Sequence, residues 1–471
     1  MSEKLMFAKQ IPGVRTASIV ILLACAQNSV AATYYVDISA GSDNNDGLSA
    51  GAAFRTVDAA NSLTLSAGDS VLFRRGQAFS GTLRVGDNGT QSQPIEVGAF
   101  GGGNERPLLY GLSISGNWVV VDGIDIDHNK DDSDAIRVRS ARGVTFRNME
   151  IRNGTRDAFD VDNADELLVE DVEIHHFLNG SFGSKDDSHG LAITDSKDVT
   201  VRRANIHHVS GDSVQVDPNR IPGRISDRIL LEDSVFWTGP LQQNFNAGWR
   251  AGNSPGENAL DTKVLQSGFE NEIRMQITLR NITAYGWTAV PEISNRAVFN
   301  LKEKITATLD RVTVYDSEIA FRVRGALGNA DTRISNAVVY NVGIAIRSEN
   351  DLRNLEILNS TFGNGIAQMR RHAGGSGGTG SWTLLNNAFV GSMPSEASDP
   401  SNRVVSNSDF QDAADNDYRL ASSSSLIDGG DTIADVSVDR DGSPRQAPYD
   451  IGAYEFGSEI VRPLPPVLTA E

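Results

Sequence analysis

The sequence predicts an all-β solenoid with strands stacked in parallel, and three observations carry that expectation. A phrase of alternating residues beginning Asp134-Ala135-Ile136-Arg137-Val138-Arg139 returns at Asp157, Asp212, Asn258 and Ile319. With the first inward residue of each copy set at Ile136, Phe159, Leu191, Val214, Leu260, Phe299, Phe321, Ile344 and Ile366, the steps are 23, 32, 23, 46, 39, 22, 23 and 22 residues. A basal period that survives insertions marks a coil whose turns bury their apolar faces only against neighbouring turns. Finally, 45 glycines among many Asn, Asp and Ser, without helical heptads, favour strands and turns.

Before the coil, residues 1–32 read as an export leader: Lys4, Lys9 and Arg15 precede the apolar run Thr16 to Ala26, and Ser29-Val30-Ala31-Ala32 offers small residues for cleavage. Cys25 is the only cysteine, within Leu22-Leu23-Ala24-Cys25. That tetrapeptide loosely resembles a bacterial lipoprotein signal, though Leu is not the preferred residue before Ala24, and loss of Cys25 with the leader is the simpler reading. No segment reaches the roughly 20 apolar residues of a membrane-spanning helix. The expected location is therefore outside the cytoplasm, secreted or at the cell surface, as a monomer.

Residues 33–80 read as an N-terminal cap, with a strand at Tyr34-Tyr35-Val36, a turn at 41–47 and an amphipathic helix from Phe54 to Leu65. The Asp- and Asn-rich turn lacks the later Glu of an EF-hand loop, so an ordinary turn is expected. The coil occupies residues 81–395. In Ile136-Arg137-Val138-Arg139 the apolar residues point inward and the arginines outward. A second phrase follows about ten residues later, as in Phe146-Arg147-Asn148 and Val169-Glu170-Asp171, so each turn holds at least two strands. Its recurrent Asn or Asp suits a left-handed turn conformation and a stacked hydrogen-bonding ladder.

This pattern resembles the right-handed parallel β-helix of the pectate-lyase-like superfamily, and the resemblance implies that fold. Farther on, Ser425-Leu426-Ile427-Asp428-Gly429-Gly430-Asp431 and Tyr449-Asp450-Ile451-Gly452-Ala453-Tyr454-Glu455-Phe456 resemble the C-terminal module of secreted bacterial β-helix proteins called choice-of-anchor Q. That resemblance implies a capping module over residues 396–456, followed by a flexible tail at 457–471.

Net charge is −19, from 42 basic and 61 acidic residues, which argues against nucleic acid and anionic membranes as partners. An anionic sugar depends on the local field instead. The long steps place insertions near Leu178 to Ser188, Trp237 to Gly256 and Val264 to Pro291, so the middle rungs are expected to carry a cleft. Outward residues form two columns: Arg137, Asp160, Ala192, Gln215, Asp261, Asn300, Arg322, Ala345, and Arg139, Asp162, Thr194, Asp217, Lys263, Lys302, Arg324, Arg347. After the first rung, carboxylates precede cations, and the two meet at Asp261 and Lys263. Such a groove suits an acidic polysaccharide, with the cations and Gln215 on its anionic groups and Ca²⁺ held by Asp217, Glu257 and Asp261.

The phrase Gly256-Glu257-Asn258-Ala259-Leu260-Asp261-Thr262-Lys263 resembles the rung of β-helix polysaccharide lyases that carries an outward lysine base. β-Elimination needs a base, neutralisation of the uronate carboxylate and a proton for the leaving oxygen. The resemblance assigns Lys263 as the base, which requires a lowered pKa and hence a cation at Asp261; Arg322 and His189 are the candidate acids. The Arg-His-Gly phrase of chondroitinase B and alginate lyases is missing after Lys263. Trp249 and Arg250, in the second insertion, either stack on sugar rings or pin the loop. The pairs His175-His176 and His207-His208 follow equivalent strands and read as a feature of the repeat rather than a metal site. A glycoside hydrolase using Asp160 with Asp162 or Asp217 with Asp261 is the rival enzyme, and a non-catalytic carbohydrate-binding surface protein is the rival without chemistry.

Overall fold

The computed structural model describes residues 31–457 apart from 185, 218–222, 264–273, 303, 326–329, 351 and 375–379. The leader through Val30, including Cys25, and the tail beyond 457 lie outside the described residues. Strands of successive turns pair in parallel into a coil of about 11 turns with almost no helix. Each full turn contributes to three sheets, in keeping with the expected minimum of two strands. The first stacks Ile136–Arg139, Phe159–Asp162, Leu191–Thr194, Val214–Asp217, Asn258–Thr262, Ala297–Leu301, Ser317–Arg324, Val342–Glu349 and Gln368–Ala373. Second and third sheets run together in Thr145–Gly154, Asp165–Phe177 and Lys197–Val209, then separate into shorter strands such as Asp227–Glu232 and Val235–Trp237.

Their common corner explains the recurrent Asn and Asp. Asn148, Asp171, Asp233, Asn281, Asn336, Asn359 and Asn386 all have φ between 44° and 58°, the left-handed region that Asn and Asp tolerate. Arg203 occupies the same corner and pairs with Asp171 below it at 2.7 Å. In the later turns the C-terminal segment lies along this column. Arg440 donates to Asn281 at 3.0 Å, Arg445 to Asn336 at 2.7 Å, and Asn386 to the Asp431 carbonyl at 2.7 Å.

The core is one continuous column of apolar side chains, with Phe146 edge-on to Phe159 at 5.2 Å and Phe299 over Phe321 at 5.8 Å. At the start of the chain the helix is shorter than its expected span, Val57–Asn61, with Thr56 accepting from the Ala59 N–H. Toward the end, Phe410, Tyr418, Leu426 and Ile451 make a second small core against Val338 and Ala388 on the flank of the coil.

One register differs from the expected one. Phe321 pairs with Ile346, not Ile344, and Arg322 pairs with Arg347. Ile344 instead belongs to a small outer cluster with Ala297 and Ile319, and the next turn sets Arg370 rather than Ile366 opposite Ile346. Ile344 and Ile346 share the same parity, so alternation alone cannot choose between them. The correction moves Arg347 into the first outward column in place of Ala345 and leaves Glu349 beside Arg324.

Candidate active site

The corrected first column therefore runs Gln215, Asp261, Asn300, Arg322, Arg347, Arg371, each paired with the next across one rung. Rungs stand about 4.8 Å apart, so neighbouring side chains share one electrostatic environment. Two insertions, 178–188 and 237–256, rise beside the acidic end. Leu178, Leu241, Phe245 and Trp249 pack there as a small core of their own. Trp249 is 2 % exposed and its indole donates to the Asn179 carbonyl at 2.7 Å. It pins the loops together, so the sugar-stacking alternative fails for this residue; Arg250 is exposed on the same loop.

Where the loops rejoin the rungs, charges alternate along a connected chain. His189 Nδ1 lies 2.9 Å from Asp157, and its Nε2 lies 3.7 Å from Asp212. Lys263 Nζ reaches Asp212 at 3.7 Å and Asp261 at 2.9 Å, and Lys302 Nζ donates to the same Asp261 oxygen at 2.7 Å. Asn258 Nδ2 donates to the other Asp212 oxygen at 2.7 Å. Gly211 is required here, because a Cβ would stand 2.9 Å from His189 Nε2 and 3.0 Å from Asp187 Cβ.

Burial sets the protonation states. For His189 burial opposes charge, but the hydrogen bond and charge of Asp157, with the charges of Asp212 and Asp187, overcome it and lift the imidazole to about 9. Burial likewise opposes charge on Lys263, and Asp212 and Asp261 outweigh it, so the ammonium is held well above its ordinary range. The fall expected for a lysine base does not occur. Glu257 is pushed up to about 7 by burial and by Asp212 and Asp187, and burial also raises Asp187. Asp212, fully buried beside Asp261, rises to about 6. Glu257 and Asp187 are only half-buried and border the buried chain.

Several buried polar atoms here have no hydrogen-bond partner, among them Asp212 Oδ2, Asp261 Oδ1, Asn300 Oδ1, Trp287 Nε1 and Arg296 Nε. Such orphans are uncommon and mark places where a ligand or water completes the set. Arg296 bridges two insertions, donating to the Thr288 carbonyl at 2.9 Å and the Pro255 carbonyl at 2.5 Å.

At the other end of the column three arginines converge on one carboxylate. Arg322 grips Glu349 through two bonds of 2.9 and 3.0 Å, Arg324 Nε lies 3.0 Å from it and Arg347 Nε 2.7 Å. One negative charge among three guanidiniums leaves this end cationic.

The expected Ca²⁺ site does not fit this geometry. Asp261 already accepts two ammonium groups through one oxygen, and among the described residues no group of three or more His, Cys, Asp and Glu is arranged to hold a metal ion. Asp217 is buried and accepts from Thr194 Oγ1 at 3.4 Å, while Gln215 is 7 % exposed beneath the loops. In the hydrolase alternative, Asp160 is taken up by an ion pair with Arg139. The buried Asp212, with the half-buried Asp157 and Asp187, carries much of this site, and none of the three had an assigned role in the sequence. Asp157 and Asp212 open two copies of the repeated phrase, and that position was the available signal.

Residues 106–236 match the family described as "Right handed beta helix region". The chain is a right-handed parallel β-helix. A lacto-N-biosidase of Bifidobacterium longum subsp. longum is 28 % identical over 137 residues, which is 27 % of this chain and 9 % of that protein, so this β-helix matches under a tenth of the relative. Similar solved structures include a pectate lyase at 16 % identity, covering 91 % of this chain and 97 % of that one with a TM-score of 0.47. Others are a lacto-N-biosidase of Eubacterium ramulus (14 %; 75 % and 68 %; 0.42) and a polysaccharide lyase of Pseudopedobacter saltans (12 %; 78 % and 96 %; 0.47). Among the described residues of this chain no helix is long and apolar enough to cross a membrane.

Proposed function

We propose that the protein is a secreted lyase that cleaves a uronate-containing polysaccharide by β-elimination on the rungs from Val214 to Glu349. The observation that carries this reading is the half-buried Glu257, with a pKa of about 7, set beside Lys263 and at the acidic end of a column whose other end is cationic. Lys263 is the base expected from the sequence, yet two carboxylates keep it protonated. Glu257 takes the proton-accepting role instead, because a base that titrates near the working pH is both available and strong enough to pull, and once protonated it returns that proton to the leaving sugar oxygen as the carbon–oxygen bond breaks. Lys263 and Lys302 then stabilise the negative charge that spreads onto the uronate carboxyl group as the proton leaves. Arg322, Arg324 and Arg347 bind anionic groups on neighbouring sugars.

A hydrolase is the second reading, favoured by the two raised carboxyl groups of Glu257 and Asp187, one of which would serve as acid and the other as base. Elimination alone creates an unsaturated uronate that absorbs in the ultraviolet. Purified protein mixed with a panel of polyuronates is expected to raise that absorbance; new reducing ends without it would establish the hydrolase. The pH profiles also run oppositely. A Glu257 base must be ionised, so lyase activity rises as pH passes about 7, whereas a Glu257 acid must be protonated and hydrolase activity falls there.

A further inference from the structure

A cavity of about 430 Å³ opens away from the groove, at the corner between the third and first sheets. Asn129, Lys130 and Asn153 line it from the rungs, and Gln243, Asn244 and Phe245 line it from the second insertion. The insertion is held firmly over it. Lys130 Nζ donates to the Phe245 carbonyl at 2.6 Å and lies 4.5 Å from the centre of its ring, which stacks on His176 at 6.5 Å.

We propose that this cavity is a second binding site, selective for a neutral sugar residue. Both cations of the lining are already engaged: Lys130 by the Phe245 carbonyl, and Arg152 by Asp127 at 3.1 Å and by Glu150, outside the lining, at 2.7 Å. An anionic sugar would have to take these cations from their present partners and would meet the Asp127 carboxylate beside Arg152, so its desolvation would go largely uncompensated. A hydroxyl donates and accepts at once, and amides answer both halves of that demand. Asn244 Oδ1 is used by the Ala251 N–H at 3.0 Å, which leaves its NH₂ for a ligand.

The histidines supply a polar partner. Glu150 accepts a hydrogen bond from His175 Nε2 at 3.2 Å, and the His175 and His176 Nδ1 atoms share a contact of 2.6 Å. Burial and the neighbouring imidazoles hold His176 at about 3, so it lines the cavity as a neutral ring, and a neutral imidazole pairs with a hydroxyl in either sense. Donors, a neutral imidazole, an aromatic ring and a fixed loop make a preorganised site of the size that sugars occupy.

The test uses the full chain with glucose, galactose, xylose, N-acetylglucosamine and galacturonate, followed by saturation-transfer NMR and calorimetry. At least one neutral sugar is expected to bind, and the exposed Gln243→Ala should weaken it roughly tenfold, about the worth of one hydrogen bond; Asn244→Asp, which keeps the oxygen that the Ala251 N–H uses and removes the NH₂, should do the same. Arg347→Ala should leave it unchanged, which separates this site from the groove. Failure of every neutral sugar to bind, preference for galacturonate, or binding indifferent to both loop variants would overturn the proposal.

Discussion

Two faces of the same coil bury histidine and leave it in opposite states. On the groove face His189 is ringed by Asp157, Asp187 and Asp212 and stays charged to about pH 9. On the opposite flank His175 stacks on His207 at 5.0 Å, His207 on Trp237 at 4.4 Å, and the column continues through Tyr285, Tyr315 and Tyr340. There burial and the other imidazoles depress His176 to about 3, and burial together with His175 does the same to His207. Burial penalises charge on both faces. What differs is the balance of neighbouring charge: Asp157, Asp212 and Asp187 surround His189, whereas on the flank Glu150 and Glu173 each face one imidazole, Glu150 is shared with Arg152, and the imidazoles oppose one another's charge.

The largest effect should come from the groove. Glu257→Gln is expected to cut kcat by roughly a thousandfold, the usual scale for losing a proton-transfer group, while leaving the thermal midpoint nearly unchanged. Retained activity with any polyuronate it cleaves would remove Glu257 from the mechanism and blur the contrast.

The flank predicts acid sensitivity instead. A histidine whose folded pKa lies below its unfolded value near 6.5 loses stability as pH falls through that window, because the unfolded chain takes up the proton first. His207 and His208, each at about 3, should together make the protein less stable at pH 5 than at pH 7 by about 2 kcal/mol per imidazole. Urea midpoints at the two pH values measure this, and His207→Phe, which keeps the stack, should flatten the difference.

His189 sharpens the comparison with the reverse sign. Its folded pKa is raised, so its contribution is complete below about 6.5 and fades as pH climbs through about 9. His189→Gln should erase a decline of about 1 to 2 kcal/mol between pH 6.5 and 8, read from the same urea series. A variant that keeps the wild-type slope would mean that His189 is neutral. Arg347→Ala is the mildest: about a fivefold rise in KM with kcat unchanged, and a weaker dependence of KM on salt.

Much of the fold was legible because burial repeats. Phe159, Val214 and Leu260 are each followed by a polar outward residue, and with Leu191 they recur at the basal period once the insertions are set aside, so they point inward whatever the loops do. The insertions at 178–188 and 237–256 announced themselves as long steps and do border the site. Trp249 could not be assigned the same way, since an aromatic in a loop reads alike whether it faces a sugar or, as here, Leu178 and Leu241. The lowered pKa expected for Lys263 is not found for a similar reason. Lys263 lies within reach of Asp212, 51 positions earlier, and no spacing in the chain reveals that.

By itself the sequence determined the coil, its inward column and the rungs that carry insertions, because these follow from local alternation and a repeating period. Only the tertiary structure decided that Ile346 rather than Ile344 faces the core, that Arg347 joins Arg322, and that Lys263 is an ammonium while Glu257 titrates near neutrality. Those outcomes depend on which charges and side chains become neighbours across rungs, and in a solenoid adjacent rungs join residues that lie 22 to 46 positions apart in the chain.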